Sequence, residues 1–275
     1  MNNLIFNIPI VTGKTNSTIV KISKLNNKKY RNEEKMFIFD GVKLFKEAVD
    51  FGAKIRYIVL NNNAKFDEKI VEKIKFCNEN GAKILCVEDY VFDKLTTENA
   101  PQGIVTVCEY IEEKYRFFTD VENASYDDEF VVALESVRDP GNLGAIMRNA
   151  VAFGVDRLVL SSDCVDIYSP KVVRASMGAF FKIKIDVVAD LPSLIANIKK
   201  AGKNVFGAAL EKESLILGKD KITSKDIIVL GNEGHGLSEK TLGECTNTVF
   251  IPMKENTESL NVAIASAILM WEISK

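Results

Sequence analysis

The sequence is poor in histidine and tryptophan, with His235 and Trp271 the only one of each among 275 residues. A single imidazole excludes a site with two histidine ligands and a relay of several histidines. The five cysteines, Cys77, Cys86, Cys108, Cys164 and Cys245, are odd in number and contain no CxxC pair. That excludes a disulfide frame or a cysteine-based zinc site, so no metal is expected, and it fits reduced thiols in a cytoplasmic protein. No run approaches the roughly 18 uninterrupted apolar residues of a membrane span. The opening stretch, MNNLIFNIPIVTGK, lacks the basic start and long apolar core of a secretory signal, which again leads to the expectation of a cytoplasmic location. No GxGxxG follows the first strand and no GxxxxGK[ST] occurs, so a dinucleotide-dependent oxidoreductase is disfavoured.

What is present describes a folded α/β protein. The hydrophobic fraction is 47% and the charged fraction 27%, and the length suggests about two domains. The net charge of −2 conceals a strong asymmetry. Residues 1–60 carry 11 Lys/Arg against 5 Asp/Glu, and residues 61–130 carry 8 against 16. Lys21, Lys24, Lys28, Lys29 and Arg31 crowd together beside Tyr30, either as a solvated helix face or as a phosphate-contacting arm for nucleic acid.

Strand and helix patterns alternate through the first 111 residues. MFIFD (36–40), IRYIVLN (55–61), KILCVE (83–88) and GIVTVCEYI (103–111) read as strands. Residues 42–51 and 67–81 read as helices, the second with Asp67 as N-cap. Residues 112–129 are acidic, lack a long apolar period, and read as a linker between domains at 1–111 and 130–275. Beyond it, FVVALESV (130–137), a turn RDPG, a helix capped by Asn142 and DRLVLSS (156–162) form a βαβ unit of a parallel sheet. Further strands are expected at 181–188, 204–210, 226–231 and 247–253. The last helix, 259–274, is apolar on most sides and is expected to be buried.

In parallel sheets ligands collect beyond the carboxyl ends of strands. Three loops of unusual composition lie there: RDPGNLGAIMRNA (138–150), LGNEGHGLS (230–238) and IPMKENTESLN (251–261). Gly231, Gly234 and Gly236 let backbone approach a ligand closely. Arg148, in apolar company on its helix, calls for a partner or a function. Ser259 and Asn261 are natural caps for the last helix. Glu233 can orient a ligand or merely fix its turn, and His235 is most simply incidental.

In this order the three loops resemble the motifs of the SpoU, or TrmH-like, branch of the SPOUT RNA 2′-O-ribose methyltransferases. NLGAIMRNA carries Asn142 and Arg148. LGNEGHGL carries Gly231, Glu233 and Gly236. IPMKENTESLNVAIA carries Ile251, Pro252, Ser259, Leu260, Asn261 and Ala263. KKYRNEEKMFIFDGVKLFKEA (28–48) resembles the substrate-binding domain of such proteins, with Asp40 where the family often has Glu.

The resemblance implies a C-terminal trefoil-knotted domain on a parallel sheet, behind a smaller ribosomal-protein-like α/β domain that binds RNA. It implies S-adenosylmethionine as cofactor, held around Ala208, Ala209, Gly231, Asn232, Gly236, Ile251, Met253, Leu260 and Ala263. Arg148, Asn142, Glu233, Ser259 and Asn261 would carry the chemistry, with Arg148 as base or as electrostatic clamp. Lys28, Lys29, Arg31 and Arg174 would contact RNA. It further implies a homodimer through the C-terminal domain. Ribosomal RNA is the expected substrate, with transfer RNA as alternative. A non-catalytic RNA-binding or ribosome-assembly protein is the reading from another class.

Overall fold

The computed structural model describes residues 5–118, 126–254 and 259–275. The chain divides into two compact units, Met1–Ile111 with Asp166–Phe181, and Glu112–Val165 with Lys182–Lys275.

Among the described residues the first unit is built on five strands, β1 (Ile10–Val11), β2 (Met36–Asp40), β3 (Ile55–Asn61), β4 (Lys83–Val87) and β5 (Ile104–Glu109), in spatial order β1-β4-β3-β5-β2. β1, β4 and β3 run parallel, whereas β5 is antiparallel to both β3 and β2. The two-residue period of β3 sends Ile58 and Leu60 to one face and Val59 to the other. Helices Val42–Asp50 and Glu68–Glu79 bring Phe45, Ile70 and Ile74 to the first face. Helix Ser17–Lys24 brings Ile19 and Ile22 to the second. The Asp67 side chain accepts from the Ile70 amide at 2.9 Å, so the expected cap is formed. Asn16 and Asn27 cap two helices that the sequence reading passed over, Ser17–Lys24 and Lys28–Glu34.

Residues 166–181 belong to this unit although they stand beyond residue 130. Tyr168, Phe180 and Phe181 pack with Phe37 and Phe39 of β2 at ring separations of 5.1–5.7 Å, and Tyr168 stacks on Tyr110 at 3.6 Å. Arg31 is buried there. Its guanidinium donates to the Leu25 carbonyl at 2.8 Å and to Asp166 at 2.5 Å.

Among the described residues the second unit carries eight strands, all parallel: β6 (Tyr115–Phe118), β7 (Val131–Leu134), β8 (Arg157–Ser161), β9 (Lys184–Val188), β10 (Val205–Ala208), β11 (Leu215–Ile216), β12 (Ile227–Leu230) and β13 (Asn247–Phe250). Their order is β11-β13-β10-β12-β7-β8-β9-β6. The segment read as a linker therefore holds β6, which joins the sheet against β9. The central strands are buried on both faces, as parallel sheets require.

The helix after β7 spans Pro140–Ala152, and Asp139, not Asn142, is its N-cap. Asp139 accepts from the Asn142 amide at 2.8 Å, and Pro140 takes the first position, where no amide is needed. The last helix runs from Val262 to Ile273. It is buried along Leu269 and Met270, whereas Ile264 and Trp271 on its other side are about half exposed.

Asp186 on β9 is fully buried and is compensated by several donors. Arg157 reaches it at 2.9 Å, Arg116 at 2.7 and 2.9 Å, and the Tyr126 hydroxyl at 2.9 Å. Glu129 takes the other edge of Arg157 at 2.7 and 3.0 Å, and Lys184 at 3.0 Å. Hydrogen bonds from Arg157, with Lys184 adding to them against the effect of burial, lower the Glu129 carboxyl to about 2. A carboxyl lowered on folding stabilises the protein above its unfolded value and loses that contribution as pH falls through the folded one. Replacing Glu129 by Gln is therefore expected to lower the melting temperature at pH 7 and to remove most of that difference by pH 2. Parallel melting curves across this range check it.

Candidate active site

Four neighbouring strands, β13, β10, β12 and β7, end along one edge of the second sheet. Leu134 lies beside Leu230, Gly207 beside Val229, and Ala208 beside Val249. β12, late in the chain, is inserted between β10 and β7, so the chain continues to opposite sides from this place. Such a switch point is where parallel sheets hold ligands.

A cavity of about 470 Å³ opens beyond these strand ends. Ala208, Ala209 and Leu210 form one wall, Leu230 to Gly234 with Gly236 a second, and Val249 to Ile251 with Met253 a third. Ser259, Leu260, Val262, Ala265 and Leu269 complete it. The lining combines small and apolar side chains with main chain and a few polar groups, Asn232, Glu233 and Ser259, as small-molecule sites do.

The glycine-rich loop is folded back tightly on itself. Asn232 and Gly236 exchange backbone hydrogen bonds of 3.0 and 2.8 Å, and the Asn232 side chain accepts from the Gly234 amide at 2.8 Å. A Cβ on Gly231 would lie 2.2 Å from the Gly236 carbonyl carbon.

At the cavity rim the three sequence motifs are joined by side chains. The Asn142 side-chain Nδ2 donates to the Glu233 carboxylate, and the Asn261 side-chain Nδ2 donates to the Asn142 side-chain oxygen at 3.0 Å. Asn261 also caps the last helix, accepting from the amides of Ala263 at 2.9 Å and Ile264 at 3.3 Å. Its two roles can be separated. Asn261→Ala should lose about 1 kcal/mol of stability with the cap. Asn261→Asp keeps an accepting oxygen but cannot donate to Asn142. It should melt like the wild type and still slow the reaction carried at this rim by at least about tenfold, as thermal unfolding and single-turnover rates would reveal.

Arg148 lies six residues after Asn142 on the same helix, about 120° away around its axis. It is exposed, and among the described residues it makes no hydrogen bond or ion pair. The apolar company expected from its neighbours turns inward instead, with Ile146, Met147 and Ala150 buried. Ser259 stands at the rim ahead of the last helix, and the cap there is Asn261 alone.

Eight of the nine residues expected to hold a cofactor line the cavity. Ala263 does not: it is buried, and its carbonyl accepts from Asn149 at 2.8 Å and from the Ser266 hydroxyl at 2.8 Å. The RNA-contact expectations divide. Lys28 and Lys29 are exposed. Arg31 is buried against Asp166, too committed to meet a phosphate. Arg174 is engaged by Glu98, by the Thr97 hydroxyl at 2.7 Å and by Asp40 at 3.5 Å. Sequence reasoning missed Leu210 and the buried Glu135, and the only signal for the latter was an acidic residue in an otherwise apolar run.

Comparison with known proteins gives the family. Residues 129–271 match the SpoU rRNA Methylase family, and residues 16–106 match the MRM3-like substrate binding domain. The chain belongs to the SpoU rRNA methylase family. The 23S rRNA (guanosine(2553)-2′-O)-methyltransferase RlmP of Bacillus subtilis is 29% identical over 94% of this chain and 96% of its own length. The 23S rRNA (guanosine-2′-O-)-methyltransferase RlmB of Coxiella burnetii is 31% identical over 80% of this chain and 86% of its own. The AdoMet-bound rRNA methyltransferase from Sinorhizobium meliloti superposes with a TM-score of 0.82 at 30% identity, covering 96% of this chain and 97% of that one. The chain is thus an S-adenosylmethionine-dependent RNA 2′-O-ribose methyltransferase with an N-terminal substrate-binding domain. Among the described residues no helix is long and apolar enough to cross a membrane, and no group of His, Cys, Asp and Glu could hold a metal ion.

Proposed function

We propose that this enzyme methylates a ribose 2′-hydroxyl of ribosomal RNA in the cytoplasm. The observation that carries the reading is the joined set Asn142, Glu233 and Asn261 at the rim of the cavity, which brings polar side chains of all three motif loops together beside the cofactor site.

The cavity suits S-adenosylmethionine. The main chain and small side chains of Ala208, Ala209, Gly231 and Ile251, with Leu260, would hold a flat nucleoside, while Glu233 faces a cationic ligand. When bound, the cofactor supplies an electrophilic methyl group on a sulfonium. Asn142, Ser259 and Asn261 orient the ribose, and Glu233 fixes Asn142 through its amide. A guanidinium keeps its proton at neutral pH. Arg148 therefore serves as a clamp, holding the adjoining phosphate and the negative charge that develops on the 2′-oxygen, while the hydroxyl proton passes to solvent water at the rim as the oxygen takes the methyl group from the sulfonium, which leaves as a neutral thioether. In-line placement within a partly dry cavity carries much of the rate.

A trefoil knot made by threading of the C-terminal segment is part of this reading, and the strand order with β12 between β10 and β7 is compatible with it. The half-exposed Ile264 and Trp271 on the last helix suit burial against a second copy. The substrate-binding unit would meet RNA with Lys28 and Lys29. If each touches a phosphate, Lys28→Ala with Lys29→Ala should reduce the slope of log affinity against log salt by about 1.4–1.8, measured on an unmethylated ribosomal RNA fragment. The same fragment tests the activity. A new 2′-O-methyl group blocks alkaline cleavage at one phosphodiester, and a fragment that stays cleavable everywhere, although the protein binds both cofactor and RNA, would overturn this substrate.

A further inference from the structure

Two consecutive residues at the end of β7, Glu135 and Ser136, hold both limbs of the glycine-rich loop. Glu135 is buried, at 9% exposure. Its carboxylate accepts from the Ser238 amide at 2.8 Å, the Ser238 hydroxyl at 2.8 Å and the Thr241 hydroxyl at 2.6 Å. That fixes the limb leaving the loop. The Ser136 carbonyl accepts from the Asn232 side chain at 2.9 Å, which fixes the limb entering it.

Ser136 is itself held in an uncommon conformation. Its φ is 56°, in the left-handed region that a serine seldom adopts. Its amide donates to the Ser161 hydroxyl at 2.9 Å and its own hydroxyl to Asp163 at 2.5 Å. Asp163 also accepts from Ser161 at 2.6 Å, so the carbonyl that meets Asn232 is aimed from β8. Asn232, where the first tie is made, and Glu233, Gly234 and Gly236, which lie between the two ties, all line the cavity.

We infer that Glu135 and Ser136 are positioning residues for the methyl-transfer site, a clamp that sets the loop in its cofactor-binding shape. The inference rests on the reading of this cavity as the S-adenosylmethionine site. Neither residue lines the cavity, so they act through the loop. A loop held in place beforehand spends no binding free energy on being ordered.

Glu135→Gln is nearly isosteric, but its single carboxamide oxygen cannot accept from both the Ser238 N–H and the two hydroxyls, and the negative charge that strengthens all three bonds is lost. Ser136→Gly removes the Asp163 tie while easing the positive φ, so stability is preserved as the aim of the carbonyl is lost. Asp190→Ala removes a helix cap of the same kind from the 191–200 helix, whose cap does not touch the loop. The experiment titrates full-length wild type and the three variants with S-adenosylmethionine by calorimetry, alongside melting curves. The expected result is a Kd about tenfold or more higher for Glu135→Gln, and several-fold higher for Ser136→Gly at unchanged melting temperature. Asp190→Ala should melt lower yet bind like the wild type. Wild-type affinity in folded Glu135→Gln or Ser136→Gly overturns the clamp. If Glu135→Gln does not fold, Ser136→Gly decides alone. A wild-type chain that fails to bind overturns the cofactor reading, and the clamp with it.

Discussion

Replacing Arg148 by alanine is expected to slow methyl transfer by about 10²–10³-fold while leaving the protein folded and able to bind S-adenosylmethionine. The stability half follows from exposure. The side chain stands out from the Pro140–Ala152 helix with no hydrogen bond or ion pair among the described residues, and alanine is the better helix former. The melting point should move by no more than about 0.5 kcal/mol of equivalent stability. Cofactor affinity should hold because Arg148 does not line the cavity. The catalytic half follows from the charge. Loss of a cation that meets developing negative charge once bound RNA covers the rim slows turnover by about 10²–10³-fold. Arg148→Lys keeps the charge but not the planar fork and should recover only part of the rate. Single-turnover rates at saturating cofactor, with circular dichroism and calorimetry on the same preparations, give all three quantities. Near-normal turnover by the alanine variant would remove Arg148 from the mechanism.

The sequence made the strand ladder largely legible because its strands are short apolar runs bounded by glycine, lysine or asparagine, and their two-residue period survives in the buried faces of β3. It misled where a residue type has two uses. Asn142 has the chemistry of a cap, but the Asp-Pro pair three and two residues earlier occupies the helix start, and this leaves the Asn142 side chain free for Glu233 and Asn261. Arg31 sits in a basic run yet is drawn inside by Asp166, 135 residues away, a partner that no local pattern announces. Arg174 is claimed in the same way by Glu98 and Asp40. Residues 112–129 lack an apolar period because β6 is a short edge strand. Its inward contribution is Tyr115 and its Arg116 pairs with buried Asp186, so charge does there what apolar alternation does elsewhere. The composition of the cavity loops was plain in sequence. Their joining through Asn142 was not, since it depends on β12 being inserted beside β7.

Gly231→Ala tests the loop at its narrowest point. The added methyl carbon would lie 2.2 Å from the Gly236 carbonyl carbon, 2.4 Å from its oxygen and 2.4 Å from the Leu237 nitrogen. All three are backbone atoms, so no side-chain rotation relieves the overlap and the two limbs of the loop must part. Parting them breaks the paired Asn232 and Gly236 backbone bonds and shifts Glu233 away from Asn142. Overpacking of this kind costs about 1–3 kcal/mol of stability. Affinity should suffer more, because Gly231, Asn232, Glu233 and Gly236 all line the cavity, and loss of binding by about 100-fold or more is expected. Gly234→Ala is the matched control. Its methyl would meet only the Asn232 side-chain oxygen, at 3.4 Å, and binding should stay within a few-fold of wild type. Calorimetric titration of both variants decides between steric closure and mere glycine content. Equal losses would show that loop flexibility is what the ligand needs, whereas a loss confined to Gly231→Ala would show that the need is for two backbones in contact, which only glycine permits.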